Sequence, residues 1–235
     1  MKFIIEPAIF NTLPNSCIGV VVAKGIDNRQ SYEPIQALLN QAIANVEQQF
    51  SGVKVKESAA ILPYRDAFQQ LSINPNKFMC SIEALFTRIA KGKGMPSINP
   101  LVDLNNAISL KYHLPMGTHD LSLSEDDVML RFATENDRFL PFGSSETETP
   151  DAGELIYAVG NQVRTRRWTW RQSEIGKIDE KTNYVFFPID GFKGVNDSQV
   201  KAAMTELSEL LVQVFGAEVK IGWLDSEQTE MDLGL

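Results

Sequence analysis

Residues 96–120 read PSINPLVDLNNAISLKYHLPMGTHD, and this stretch decides the fold. Leu101, Leu104, Ala107 and Ile108 recur at helical spacing, which predicts a helix over residues 101–108 with one face on a core. Asn99, Asp103 and Asn106 fall at three- and four-residue steps and share another face. Pro115 and Gly117 then turn the chain into His119 and Asp120. A helix with two opposed faces packs on a core and offers polar groups to a site. Asn99, Asp103 and Asn106 either hydrogen-bond a ligand's ammonium or amide groups or lock the loops around the helix.

Outward from this helix the apolar pattern alternates between helical and strand-like. Residues 18–23 form a continuous apolar run, which predicts a buried strand. Ser31 is placed to cap a helix carrying Ile35, Leu38, Leu39, Ala42, Ile43 and Val46 on one stripe. A short helix is expected over residues 65–71. Another carries Ile82, Leu85, Phe86 and Ile89 and stops at Gly92. Strands are expected at 128–133, 155–159, 163–170 and 184–187, with an exposed loop at 144–153. Asp197 starts a long helix through Val200, Ala203, Met204, Leu207, Leu211 and Val214, which Gly216 ends, and 218–224 reads as a last strand. The fold class is therefore α/β, with mixed sheets and packed helices. One domain is expected over residues 1–224, followed by an acidic, frayed tail at 225–235. Strand order is not legible.

Composition narrows the function. The 235 residues are 43% hydrophobic, enough for a sizeable core. A net charge of −8 argues against broad attraction to polyanions, DNA included, but leaves room for a local basic patch. Cys17 and Cys80 suit a reduced, cytoplasmic protein rather than a disulfide scaffold. The apolar start at residues 1–5 is cut by Glu6 and Pro7, so no secretory signal forms, and no apolar run is long enough to span a membrane. His113 and His119 are six residues apart and share no helical face, so no metal is expected. Phosphate-loop, dinucleotide and nucleophile-elbow motifs are absent, and no cofactor is expected.

Several short blocks in fixed order carry a resemblance. Arg65, Ala67 and Phe68 precede Asn74-Pro75, Lys77-Phe78 and the run Ser81 to Leu85, with Lys91-Gly92 and Pro96 after them. Ile98-Asn99, Val102-Asp103 and Asn106 follow as IN-x-x-VD-x-x-N. Then come Leu114-Pro115, Gly117, Asp120, Leu130-Arg131, Pro141, Gly143, Gly153-Glu154 and Trp168. Over roughly residues 60–190 the chain resembles the B3/B4 tRNA-binding and editing domain of the phenylalanyl-tRNA synthetase beta chain, and its free-standing relatives. The resemblance implies the fold of that domain, binding of an aminoacylated tRNA end, and hydrolysis of a wrongly attached amino acid. It also implies departures. The family's editing histidine falls at Gly117, with His119 where the family has phenylalanine. The editing glutamate falls at Pro188. The threonine–alanine pair has no clear counterpart.

Candidate site residues follow. His119 with Asp120 is the catalytic candidate, since a carboxylate can orient an imidazole or raise its pKa; the alternative is a histidine that only organises its loop. Asn99, Asp103, Asn106, Gly117, Thr118 and Glu154 are expected at the substrate pocket. Arg164, Arg166, Arg167 and Arg171, interleaved with Trp168 and Trp170, are expected to contact tRNA: along one strand, Arg164, Arg166, Trp168 and Trp170 would share a face fit for phosphates and an unpaired base. The alternative sends the tryptophans into a core and the arginines onto local acids such as Glu154. The leading function is an aminoacyl-tRNA deacylase acting in trans, with tRNA and an amino acid moiety as partners. Its rivals are a noncatalytic tRNA- or amino-acid-binding module and an enzyme acting on another amino-acid-like substrate. The chain lacks adenylating motifs, so a complete synthetase is excluded.

Overall fold

The computed structural model describes residues 1–234. In chain order the elements are β1 (Lys2–Ile5), α1 (Ile9–Thr12), β2 (Ser16–Lys24), α2 (Glu33–Gln49), α3 (Leu62–Gln70), α4 (Ser81–Ala90), α5 (Pro100–Tyr112), β3 (His119–Asp120) and β4 (Val128–Phe132). There follow β5 (Leu155–Val159), β6 (Gln162–Arg166), β7 (Arg171–Gln172), β8 (Tyr184–Phe192), α6 (Asp197–Phe215), β9 (Glu218–Leu224) and β10 (Glu230–Asp232). One sheet has the order β10-β1-β4-β5-β6-β7 and is mixed, because β1 and β4 run parallel. The other, β3-β8-β2-β9, is antiparallel.

Strand β2 is apolar on both faces because both are covered. Ile18, Val20 and Val22, with Phe186 of β8, join Phe3, Leu130 and Tyr157 of the larger sheet in one core. Val21 and Ala23, with Val185, Phe187 and Ile189, pack against Leu104 and Ile108 of α5 and Val200 and Leu207 of α6. The four-stranded sheet is therefore a middle layer between the other sheet and the helices. Along β8 the even-numbered residues face the other sheet and the odd-numbered ones face the helices.

The signature helix forms where its spacing predicts. Asn99 caps it, its side chain accepting from Val102 N at 3.1 Å, and Pro100 fills the first turn. His113 ends it in the left-handed region at φ 60°. Helix α2 buries Ile35, Leu39, Ala42 and Val46 as its stripe predicts. Ser31 does not cap it: Tyr32 precedes the first turn, and the Ser31 hydroxyl accepts instead from Gln36 Nε2 at 2.8 Å.

Two further expectations are corrected. The tail does not fray: β10 pairs antiparallel with β1, Lys2 reaches Glu230 at 2.8 Å, and Leu233 is fully buried. Only Leu235 lies outside the described residues. The strand expected over 163–170 stops at Arg166. Arg167 and Trp168 then take φ of 46° and 59°, a tight turn that swings the Trp168 indole into the core between the sheets.

Glycine sets the distance between the middle sheet and α6. A Cβ at Gly19 would lie 2.7 Å from Val200 Cγ1 and 2.5 Å from Met204 Sδ. Gly19→Ala should therefore overpack this layer and cost about 1–3 kcal/mol. Urea unfolding measures it, and an unchanged midpoint would show that α6 can retreat freely.

Candidate functional site

Where the two sheets face each other, a cavity of about 90 Å³ opens, with Gly117, His119, Tyr157, Trp168, Pro188 and Asp190 among its walls. The turn after α5 lies against β8: Gly117 N donates to Pro188 O at 3.0 Å, and His119 stands opposite Phe186. A Cβ at 117 would come within 3.1 Å of Pro188 Cγ and 3.2 Å of His119 Nε2, so glycine keeps this corner open. Alternation along the turn directs Gly117 and His119 into this cavity and Thr118 away from it.

Asp190 is the buried carboxyl among the lining residues. It is 2% exposed. Its Oδ1 accepts from Tyr157 Oη and from Trp168 Nε1, both at 2.7 Å. Its backbone carbonyl accepts from Tyr64 Oη at 2.9 Å. Among the described residues no donor reaches its Oδ2. Burial pushes the carboxyl up to about 7, and the hydrogen bonds from Tyr157 and Trp168 only partly oppose this. Near neutrality it therefore exchanges a proton readily.

His119 is 1% exposed, and its ring lies 5.6 Å from that of Tyr157 and 5.7 Å from that of Phe186. Burial lowers it to about 3, with a further push from the nearby Arg164 cation. The expected support from Asp120 is absent, because that carboxylate serves its own turn. Asp120 Oδ1 accepts from Ser122 N at 2.8 Å and Oδ2 from Thr182 Oγ1 at 2.8 Å. His119 is thus a neutral hydrogen-bonding group rather than a titrating base. Among the described residues, six buried side-chain polar atoms lack a partner. Three of them, both ring nitrogens of His119 and Oγ1 of Thr169, belong to residues lining this one cavity. Native interiors satisfy nearly all such groups, so these three atoms single out this cavity among the described residues.

A second, open cavity of about 870 Å³ lies beyond Gln172, which lines both. Gln172 Nε2 donates to Thr118 O at 2.6 Å. Asn99, Asp103 and Thr118 line the larger space. The polar groups of Asn99 and Asp103 are already engaged. Asn99 caps its helix and donates to Ile178 O at 3.3 Å, while Asp103 accepts from Ile98 N at 2.8 Å and from the Ser97 hydroxyl. Asn106 is half-buried and lines neither space. The structure therefore divides the expected single pocket in two.

The arginine cluster is not an exposed face. Arg164, Arg166 and Arg167 are 5%, 7% and 8% exposed. Arg166 forks onto Glu154 at 2.9 and 2.8 Å and reaches Glu148 at 2.9 Å. Glu154 also accepts from Arg167 N at 3.0 Å, so it braces the turn instead of lining the pocket. Arg167 stacks 3.9 Å above the Phe78 ring centroid. Arg164 packs over Gly176, where a Cβ would sit 2.7 Å from Cζ, and donates only to Ser124 Oγ at 3.2 Å. Trp168 is a donor to Asp190, not a stacking platform. Arg171 alone of the four is exposed, at the edge of the small cavity beside Trp170. Asp190, Tyr157, Thr169 and Gln172 escaped the sequence reading. One signal was there: an acid inside the apolar run YVFFPIDGF, where a lone carboxylate is forced inward.

Among the described residues no helix is long and apolar enough to cross a membrane, and no cluster of three His, Cys, Asp or Glu is placed to hold a metal ion. The B3/4 domain family matches residues 63–216. The phenylalanine–tRNA ligase beta subunit of Vibrio parahaemolyticus is 26% identical over 148 residues, a match covering 54% of this chain and 18% of that subunit. The match thus spans under a fifth of that relative's length. A crystal structure of an N-terminal fragment of the Pyrococcus horikoshii phenylalanyl-tRNA synthetase beta subunit is similar at a TM-score of 0.49 and 12% identity, over 92% of this chain and 49% of that fragment.

A carboxyl whose pKa rises on folding contributes fully below its unfolded value and loses that contribution as pH climbs through the folded one. For Asp190 the window runs from 3.8 to about 7. Asp190→Asn keeps an acceptor for Tyr157 and Trp168 but does not titrate. Across the window the native chain should lose on the order of 4 kcal/mol relative to this variant. Urea unfolding of both proteins at about pH 4 and about pH 8 measures it. A stability difference independent of pH would mean that Asp190 is ionised throughout.

Proposed function

The chain belongs to the B3/4 domain family, and on that premise we propose that it binds the aminoacylated end of a tRNA, seats the aminoacyl group between the two sheets and hydrolyses its ester. The observation that carries this reading is that His119 and Thr169, each with buried polar atoms that lack a partner among the described residues, line the same small cavity. An aminoacyl ester offers matching groups: a carbonyl oxygen, an ammonium and an attacking water. Gly117 and Pro188, where the resemblance puts the family's histidine and glutamate, both border that space. A neutral imidazole can donate one hydrogen bond to the carbonyl oxygen as charge develops there, without titrating near neutrality. Arg171, exposed beside the cavity, suits the phosphodiester that precedes the terminal ribose. A space of about 90 Å³ favours small side chains over aromatic ones. A second reading, binding without turnover, is favoured by the loss of the family's histidine and glutamate at Gly117 and Pro188.

Single-turnover deacylation across a panel of aminoacyl-tRNAs decides between them. Hydrolysis is expected, fastest for small aminoacyl groups. His119→Ala should slow it at least ~10²-fold, as loss of an oxyanion donor does, measured below the lowered melting temperature that truncating a buried ring brings. His119→Gln, which keeps a donor, should recover part of the rate. Saturable tRNA binding with no turnover for any member selects the binding module. An active, folded His119→Ala variant removes His119 from the chemistry.

A further inference from the structure

We propose that Asp190 is the general base of the inter-sheet cavity, its Oδ2 taking a proton from the water that attacks the bound ester. The inference rests on the hydrolytic reading above and adds the residue that moves the proton. The geometry supports it in three ways. Tyr157 and Trp168 both bond to Oδ1 and so fix the carboxyl plane. Oδ2 is left unbonded among the described residues, on a side chain that lines the cavity. The backbone on either side is pinned, Asp190 N to Pro115 O at 3.1 Å and Asp190 O by Tyr64 Oη at 2.9 Å, so the strand that carries the carboxyl is fixed beside the cavity.

The surroundings suit the role. The titratable groups around Asp190 are Tyr157 from β5, Tyr64 from α3 and His119 from β3, with the Cys17 thiol of β2 nearby on the helix side of the sheet and Arg171 at the cavity edge. Burial raises both tyrosines and takes the Cys17 thiol up to about 12, while it lowers His119 to about 3. All four are uncharged at neutrality. Asp190 itself lies near 7, where a base is matched to its working pH. His119 is too weak a base for the step.

The step balances. Water oxygen bonds to the ester carbonyl carbon, one water proton passes to Asp190 Oδ2, and the carbonyl oxygen takes the negative charge opposite His119. Collapse breaks the bond to the ribose oxygen, which receives the proton back from Asp190. The products are the free amino acid and the tRNA hydroxyl, and Asp190 is regenerated.

The test is the pH dependence of single-turnover deacylation, corrected for spontaneous hydrolysis, for the native chain, Asp190→Asn and Tyr157→Phe. The native rate should rise about tenfold per pH unit below about pH 7 and level off above it. Asp190→Asn should lose at least ~10²-fold and lose the rising limb. Tyr157→Phe removes a donor that holds Asp190 down, so its limb should move to higher pH. That variant decides the matter if Asp190→Asn fails to fold. An Asp190→Asn protein that keeps rate and limb, a Tyr157→Phe limb that stays in place, or a native rate with no limb overturns the assignment while hydrolysis stands. No turnover by the native chain on any aminoacyl-tRNA overturns both.

Discussion

The two sheets meet across one buried carboxyl. Asp190 sits on β8 in the middle layer and takes hydrogen bonds from Tyr157 on β5 of the larger sheet and from the Trp168 indole. Tyr64 of α3 bonds to its backbone carbonyl and in turn accepts from Asn196, which precedes α6. Four parts of the fold thus converge on a residue that, ionised, would be costly to bury without a cation. Among the described residues no cation pairs with it. Burial among aromatic rings raises the pKa of the group toward 7, and the donors Tyr157 and Trp168 keep it from rising further.

That arrangement explains the turn at Arg167 and Trp168. Left-handed backbone at two consecutive non-glycine residues is unfavourable. The turn is braced from outside by Glu154, which holds the Arg166 guanidinium and the Arg167 amide. On the inside it delivers the Trp168 indole to Asp190. The arginines therefore do structural work on the far side of the site they resembled. His119 is held neutral by the same burial, and Arg164 reinforces it. A neutral imidazole and a carboxyl raised toward neutrality line one small cavity, and the proposed hydrolysis rests on that pair.

Much of the fold was legible in the sequence. The stripes of α2, α5 and α6 and the apolar run of β2 are periodic and long, and such patterns survive tertiary packing. Pairing was not legible, because β1 joins β4 and β10 through contacts far apart in the chain. An acidic tail reads as solvent-loving, yet Met231 and Leu233 turn it into an edge strand and its anchor. The site was half legible. His119, Gly117 and Thr118 stand where the turn places them, but alternation splits them between two cavities. The arginine stretch misled because period-two alternation fails where φ turns positive at Arg167. Asp190 was missed because its environment is made by Tyr157 and Trp168, and nothing in the local sequence foretells their arrival.

The central claim is that a carboxyl held near neutrality joins the sheets and serves the cavity. The most direct measurement is an NMR titration of the Asp190 side-chain carboxyl carbon in selectively ¹³C-labelled protein. A midpoint near pH 7 is expected, with Asp190→Asn assigning the signal. A midpoint in the ordinary aspartate range, about pH 4, would show an ionised carboxylate at neutrality and contradict both the packing argument and the chemistry built on it.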